Sequence, residues 1–121
     1  MKNETILVFD DDKTLLSIFS IVLKASGYTV AVSETSHDII EKVAEVKPAA
    51  IIMDNWIPII GGIKATQILK EHAKFRHIPV IYCSANKDIA LLAEKAGAEA
   101  YLAKPFDLAD LENTVAKLVR N

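Results

Sequence analysis

The chain has 121 residues, enough for one ordinary domain with its own core and too few for two. Hydrophobic residues make up 51% and charged residues 25%, a balance that supports a packed core and excludes a disordered chain. The net charge of −2 comes with Lys and Arg spread along the sequence, so no direct nucleic-acid binding is expected, and no apolar run approaches the roughly 20 residues that cross a bilayer.

Met1-Lys2-Asn3-Glu4 leads straight into an apolar run, which predicts that no signal peptide is present. The run 5–9 reads as a strand and ends in Asp10, Asp11 and Asp12. A helix follows over 13–26. Leu15, Ile18, Phe19 and Val22 form its expected core stripe, and Leu16 and Ile21 fall on the flanks. Those flanks either widen the buried stripe or present a partner-docking surface. Gly27 stands at the helix stop, and 28–32 reads as the second strand. Ser33 to Ser36 offers a cap for a helix over 36–46. The third strand, 49–53, ends at Asp54, with Pro58 and Gly62 following before a helix over 62–73. The run 78–83 ends at Ser84, and a helix over 87–96 stops at Gly97. The last strand, 99–103, ends at Lys104-Pro105 and leads into a helix over 107–120. The single Cys83 cannot form an internal disulfide, which suits a reduced cytoplasm.

Five strands alternating with five helices predict an α/β fold with a parallel sheet and helices on both faces. The runs are mostly continuous, as in strands buried on both sides. In the flavodoxin-like order 2-1-3-4-5, the switch point lies between strands 1 and 3, where ligands bind at the carboxyl ends. Asp10 to Asp12 and Asp54 end those two strands. Carboxylates held that close repel, and a hard divalent cation with oxygen ligands relieves the repulsion. One carboxylate can then act as nucleophile toward a phosphoryl group, while a hydroxyl and an ammonium bind its oxygens.

The stretches Ile6 to Asp12, Ile52 to Gly62, Ile81 to Ala85 and Tyr101 to Phe106, each at a strand end, resemble the receiver domain of two-component response regulators, chemotaxis-regulator-like in form. The resemblance covers 1–121 as one domain and implies a five-stranded parallel sheet of order 2-1-3-4-5. It implies that Asp54 is the phospho-acceptor. Asp10, Asp11, Asp54 and the Trp56 backbone carbonyl would hold Mg²⁺, with Asp11 the direct ligand and Asp10 acting largely through water. Ser84 and Lys104 would hold the phosphoryl group, Ser84 and Tyr101 would form the switch, and Lys104-Pro105 would be a cis peptide. The implied partners are a histidine kinase or phosphotransfer protein, docking near the first helix, and a downstream protein or attached output domain. The face of helix 4, strand 5 and helix 5 is the expected read-out and dimer surface.

Trp56 is unusually large and Asn86 neutral at two positions that, in the family it resembles, flank the path of a hydrolytic water, and Ile59-Ile60 makes the following loop more apolar than is common there. Asp12 is expected to cap the first helix. His37, His72 and His77 stand in polar contexts and read as surface or capping residues. The competing reading is an enzyme: Asp10-x-Asp12-x-Thr14 also fits the first motif of haloacid-dehalogenase-like phosphatases, with Asp10 as nucleophile and Asp12 as acid/base. That family needs a later acidic pair, and here the fifth run ends in Lys104-Pro105.

Overall fold

In chain order the elements are β1 (Thr5–Phe9), α1 (Lys13–Ala25), β2 (Thr29–Ser33), α2 (Ile39–Val46), β3 (Ala50–Asp54), α3 (Gly61–Glu71), β4 (Val80–Ser84), α4 (Ile89–Ala96), β5 (Ala100–Ala103) and α5 (Leu108–Val119). The computed structural model describes residues 4–119. Met1 to Asn3, on which the expectation about a signal peptide rests, and residue 120 of the last expected helix lie outside the described residues. The five strands are all parallel, in the order β2-β1-β3-β4-β5.

The period-two alternation of the strands builds two cores from one sheet. Leu7, Phe9, Ile51, Met53, Val80 and Tyr82 pack on one face against Ile39 and Val43 of α2, Leu69 of α3, and Ile89 and Ala93 of α4. Ile6, Val8, Ile52, Ile81 and Cys83 pack on the other, against Leu16, Phe19 and Leu23 of α1 and Leu111 and Val115 of α5. The central strands β3 and β4 are buried throughout, whereas the edge strands β2 and β5 are partly exposed.

Several expectations are corrected. In α1 the buried stripe is Leu16, Phe19 and Leu23, not one containing Ile18, which is 38% exposed. This helix is apolar on most sides, so its rotation is set from outside. Asp12 caps its start, and Phe19 stacks on Phe106 with centroids 5.5 Å apart. The cap expected at Ser33 to Ser36 is absent. The Ser33 hydroxyl instead donates to the Thr35 carbonyl at 2.8 Å, a local turn that competes with the helix, and α2 begins only at Ile39 after Asp38. β4 starts at Val80 rather than residue 78, because Pro79 has no N–H for the ladder; its carbonyl accepts from the Ile51 amide at 2.9 Å. Gly27 and Gly97 adopt positive φ at their helix ends, as the sequence predicts.

Candidate functional site

The C-terminal ends of β1 and β3 lie side by side, in register from Ile6↔Ala50 to Phe9↔Met53. The next residues, Asp10 and Asp54, therefore emerge together, 2% and 4% exposed. Asp10 accepts the Asp12 amide at 2.9 Å, and Asp54 accepts the Trp56 amide at 2.9 Å. Lys104, just past β5, donates to Asp54 Oδ1 at 2.5 Å and to Asp10 Oδ2 at 3.2 Å. Asp11 is exposed at the rim, yet carboxylate oxygens of Asp10, Asp11 and Asp54 all lie within 4.8 Å of one another.

Burial pushes the Asp10 carboxyl above the usual carboxylate range, and the nearby Asp54 charge adds to it. Burial alone would lower the Lys104 ammonium. Its hydrogen bond to Asp54, and the charges of Asp54 and Asp10, outweigh that and hold it above its ordinary range. One ammonium does not balance three carboxylates. Three hard oxygen donors at this separation fit a small divalent cation.

Ser84 ends β4 one residue beyond Cys83, the partner of Asp54 in the ladder. It is buried, and its hydroxyl accepts the Asn86 amide at 3.0 Å. Lys104 follows Ala103, which pairs with Ser84, and the Lys104 amide donates to the Ser84 carbonyl at 2.8 Å. The Lys104-Pro105 bond is cis. Tyr101 stands apart from the acidic cluster on the exposed edge of β5, 48% accessible. Asp12 does not join the cluster. Its side chain accepts the Thr14 and Leu15 amides at 3.0 and 3.2 Å, capping α1, so the phosphatase reading loses its acid/base.

Gly62 has a steric reason. A Cβ there would stand 2.3 Å from the Asp54 carbonyl oxygen, so only glycine lets α3 start against the backbone of Asp54. Trp56 and Asn86 line one open cleft beside the pocket, and the indole is 77% exposed. Sequence reasoning missed one pair: the Tyr82 hydroxyl donates to Oδ1 of Asn55, the residue after Asp54. The available signal was a lone phenol in the apolar run before Ser84, because a buried tyrosine hydroxyl needs a partner. Burial, with the Asp54 charge nearby, pushes that hydroxyl up to about 12.

An open parallel sheet of this order, with an acidic, lysine-bridged pocket at its switch point, defines a class of α/β domains that bind a ligand at the carboxyl ends of the central strands. The chain belongs to the response regulator receiver domain family, whose family model matches residues 6–116. It is thus a receiver domain of the kind found in two-component response regulators. It is 32% identical over 117 residues to the transcriptional regulatory protein PrrA of Mycobacterium tuberculosis, covering 95% of this chain and 49% of that one. The chain therefore spans about half the length of the first curated relatives it matches. It is 27% identical to the polar-differentiation response regulator DivK of Brucella anthropi, with 93% of both chains covered. Among solved structures, the receiver domain of the sensor histidine kinase PA1611 of Pseudomonas aeruginosa has a TM-score of 0.89 at 25% identity, covering 98% of this chain and 99% of that chain, with a magnesium ion in its active-site cleft. Among the described residues, no helix is long and apolar enough to cross a membrane.

Proposed function

We propose that this domain is a Mg²⁺-dependent phospho-aspartate switch in which Asp54 accepts a phosphoryl group from a histidine kinase or phosphotransfer protein. The carrying observation is the meeting of Asp10, Asp11 and Asp54 within 4.8 Å, with Lys104 bound to two of them. Asp10, Asp11, Asp54 and the Trp56 carbonyl would hold Mg²⁺, whose chemistry is to neutralise the oxygens of the incoming phosphoryl group.

The protein's own part is positioning and charge. The Trp56 amide and the Lys104 ammonium orient the Asp54 carboxylate, one oxygen of which attacks phosphorus as the donor's bond to phosphorus breaks. Lys104 then pairs with the phosphoryl oxygens, and the Ser84 hydroxyl turns from the Asn86 amide toward them. Tyr101, now half-exposed, turns inward as that space opens. Such a switch works by favouring one of two existing states.

Ile18 and Ile21, on the exposed flank of the helix that starts beside Asp11, support kinase docking there. Exposed Leu91, Tyr101 and Leu108 support a read-out and dimer surface on α4, β5 and α5. The match to half of PrrA and nearly all of DivK supports an output domain or a separate downstream protein. Residues 1–121 as one domain, in the cytoplasm, complete the reading.

Intact mass after incubation with acetyl phosphate and Mg²⁺ tests it. One phosphoryl group is expected on the parent and none on Asp54→Asn or in the presence of EDTA. Persistent labelling of Asp54→Asn overturns the assignment.

A further inference from the structure

We propose that the hydrogen bond from the Tyr82 hydroxyl to the Asn55 side chain is the clasp that holds the loop after Asp54 in its metal-binding shape, which makes Tyr82 and Asn55 positioning residues of the acceptor site. The inference deepens the Mg²⁺ reading above and rests on it.

Tyr82 lies in the middle of β4, opposite Met53 of β3 and fully buried. It fills the face that Phe9, Met53 and Ile57 also fill. A phenylalanine would satisfy that packing, so the hydroxyl needs a separate account. It reaches Asn55, the first residue beyond β3.

Asn55 is fastened at three points. Its amide donates to the Cys83 carbonyl at 3.0 Å, its carbonyl accepts the Gly62 amide at 3.1 Å, and its side chain accepts the Tyr82 hydroxyl. It thus ties the end of β3 to β4 and to the start of α3. It also stands between the two residues of this loop assigned to the metal, Asp54 and Trp56.

Two side chains hold this stretch from within: Ile57, buried in the core, anchors its middle, and Asn55 holds its start. The Trp56 ring is largely in solvent and anchors nothing in the core. Further along, Ile59 has φ 91, a left-handed conformation that a β-branched residue resists. Packing of Ile57 keeps the loop on the core without fixing its direction, whereas the bond at Asn55 fixes the direction in which the loop leaves β3. The peptide between Asn55 and Trp56 must keep its orientation for the Trp56 amide to reach Asp54 Oδ2, and the next peptide, which carries the Trp56 carbonyl, takes its direction from it.

Quenching of Trp56, the one tryptophan of the chain, and calorimetric titration report Mg²⁺ affinity directly. Tyr82→Phe, Asn55→Ala and the double variant are compared with the parent. Each single variant is expected to bind Mg²⁺ about tenfold more weakly, as when an outer partner of a metal ligand is lost. The double variant should lose no more than either single one, because one bond is being broken. At saturating Mg²⁺, Tyr82→Phe should regain the parent's phosphorylation by acetyl phosphate. A purely structural bond instead lowers the urea midpoint and leaves Mg²⁺ affinity unchanged. That result in Tyr82→Phe, which keeps the packed ring, or strictly additive losses in the double variant, overturns the clasp while parent binding stands. A parent that binds no Mg²⁺ overturns the metal reading and the clasp with it.

Discussion

Asp10, Asp11 and Asp12 are adjacent and chemically alike, yet each carboxylate meets a different environment. Asp12 turns back onto the helix it precedes, Asp11 stays at the rim, and Asp10 is buried under Lys104. Their substitutions should therefore separate. Asp12→Ala should cost about 1 kcal/mol of stability through the lost cap and leave Mg²⁺ binding intact. Asp11→Asn should do the reverse; urea midpoints and Trp56 quenching distinguish the two. For Asp10 the sign follows from its raised carboxyl, with burial as the main cause. A raised group contributes stability at low pH and loses it as pH climbs through the folded-state value. The metal-free parent should weaken over that rise, and Asp10→Asn should not, so in EDTA the variant's advantage in urea midpoint should be larger at neutral pH than near the ordinary value of 3.8. Equal differences at both would contradict the buried carboxylate.

At the scale of the element, α1 shows how a helix with too many apolar residues is oriented. Leu15, Leu16, Ile18, Phe19, Ile21, Val22 and Leu23 leave its rotation open by periodicity alone. The sheet face it meets, and the ring of Phe106, select Leu16, Phe19 and Leu23 for the core. Leu16→Ala should then cost about 2–5 kcal/mol, and Ile18→Ala within about 0.5 kcal/mol of nothing, by urea unfolding. Comparable losses would mean that the helix is rotated. Ile18→Ala and Ile21→Ala should instead slow phosphotransfer from a cognate donor without changing labelling by acetyl phosphate.

For the whole molecule, three groups on β4 and after β5 predict weakness in alkali. Burial pushes the Cys83 thiol from 9.0 up to about 12, and burial with the Asp54 charge takes the Tyr82 hydroxyl from 10.0 to about 12. Lys104 is raised from 10.5 against the pull of burial, chiefly through Asp54. All three have the same sign: their contribution is whole below the ordinary values and is lost as pH rises above them, toward about 12 for Cys83 and Tyr82. The urea midpoint should hold to about pH 9 and fall steadily from there. Cys83 should also resist alkylation in the folded state and react once urea unfolds the chain. Rapid labelling of the native protein would contradict a sealed core.

Alternating apolar runs and helical segments determined the parallel sheet and its five units, because strand and helix periods are local properties of the chain. The strand-end positions of Asp10, Asp54, Ser84 and Lys104 determined the pocket once the sheet order was known, since residues at corresponding strand ends of a parallel sheet emerge on one side. Asp12 as the cap of α1 was legible from its place before the helix, whereas the tertiary structure alone decided which face of α1 is buried and where α2 begins. It alone joined Tyr82 to Asn55, 27 positions apart. Each of these depends on the direction of a side chain relative to a neighbouring element, a three-dimensional fact that no spacing along the chain encodes.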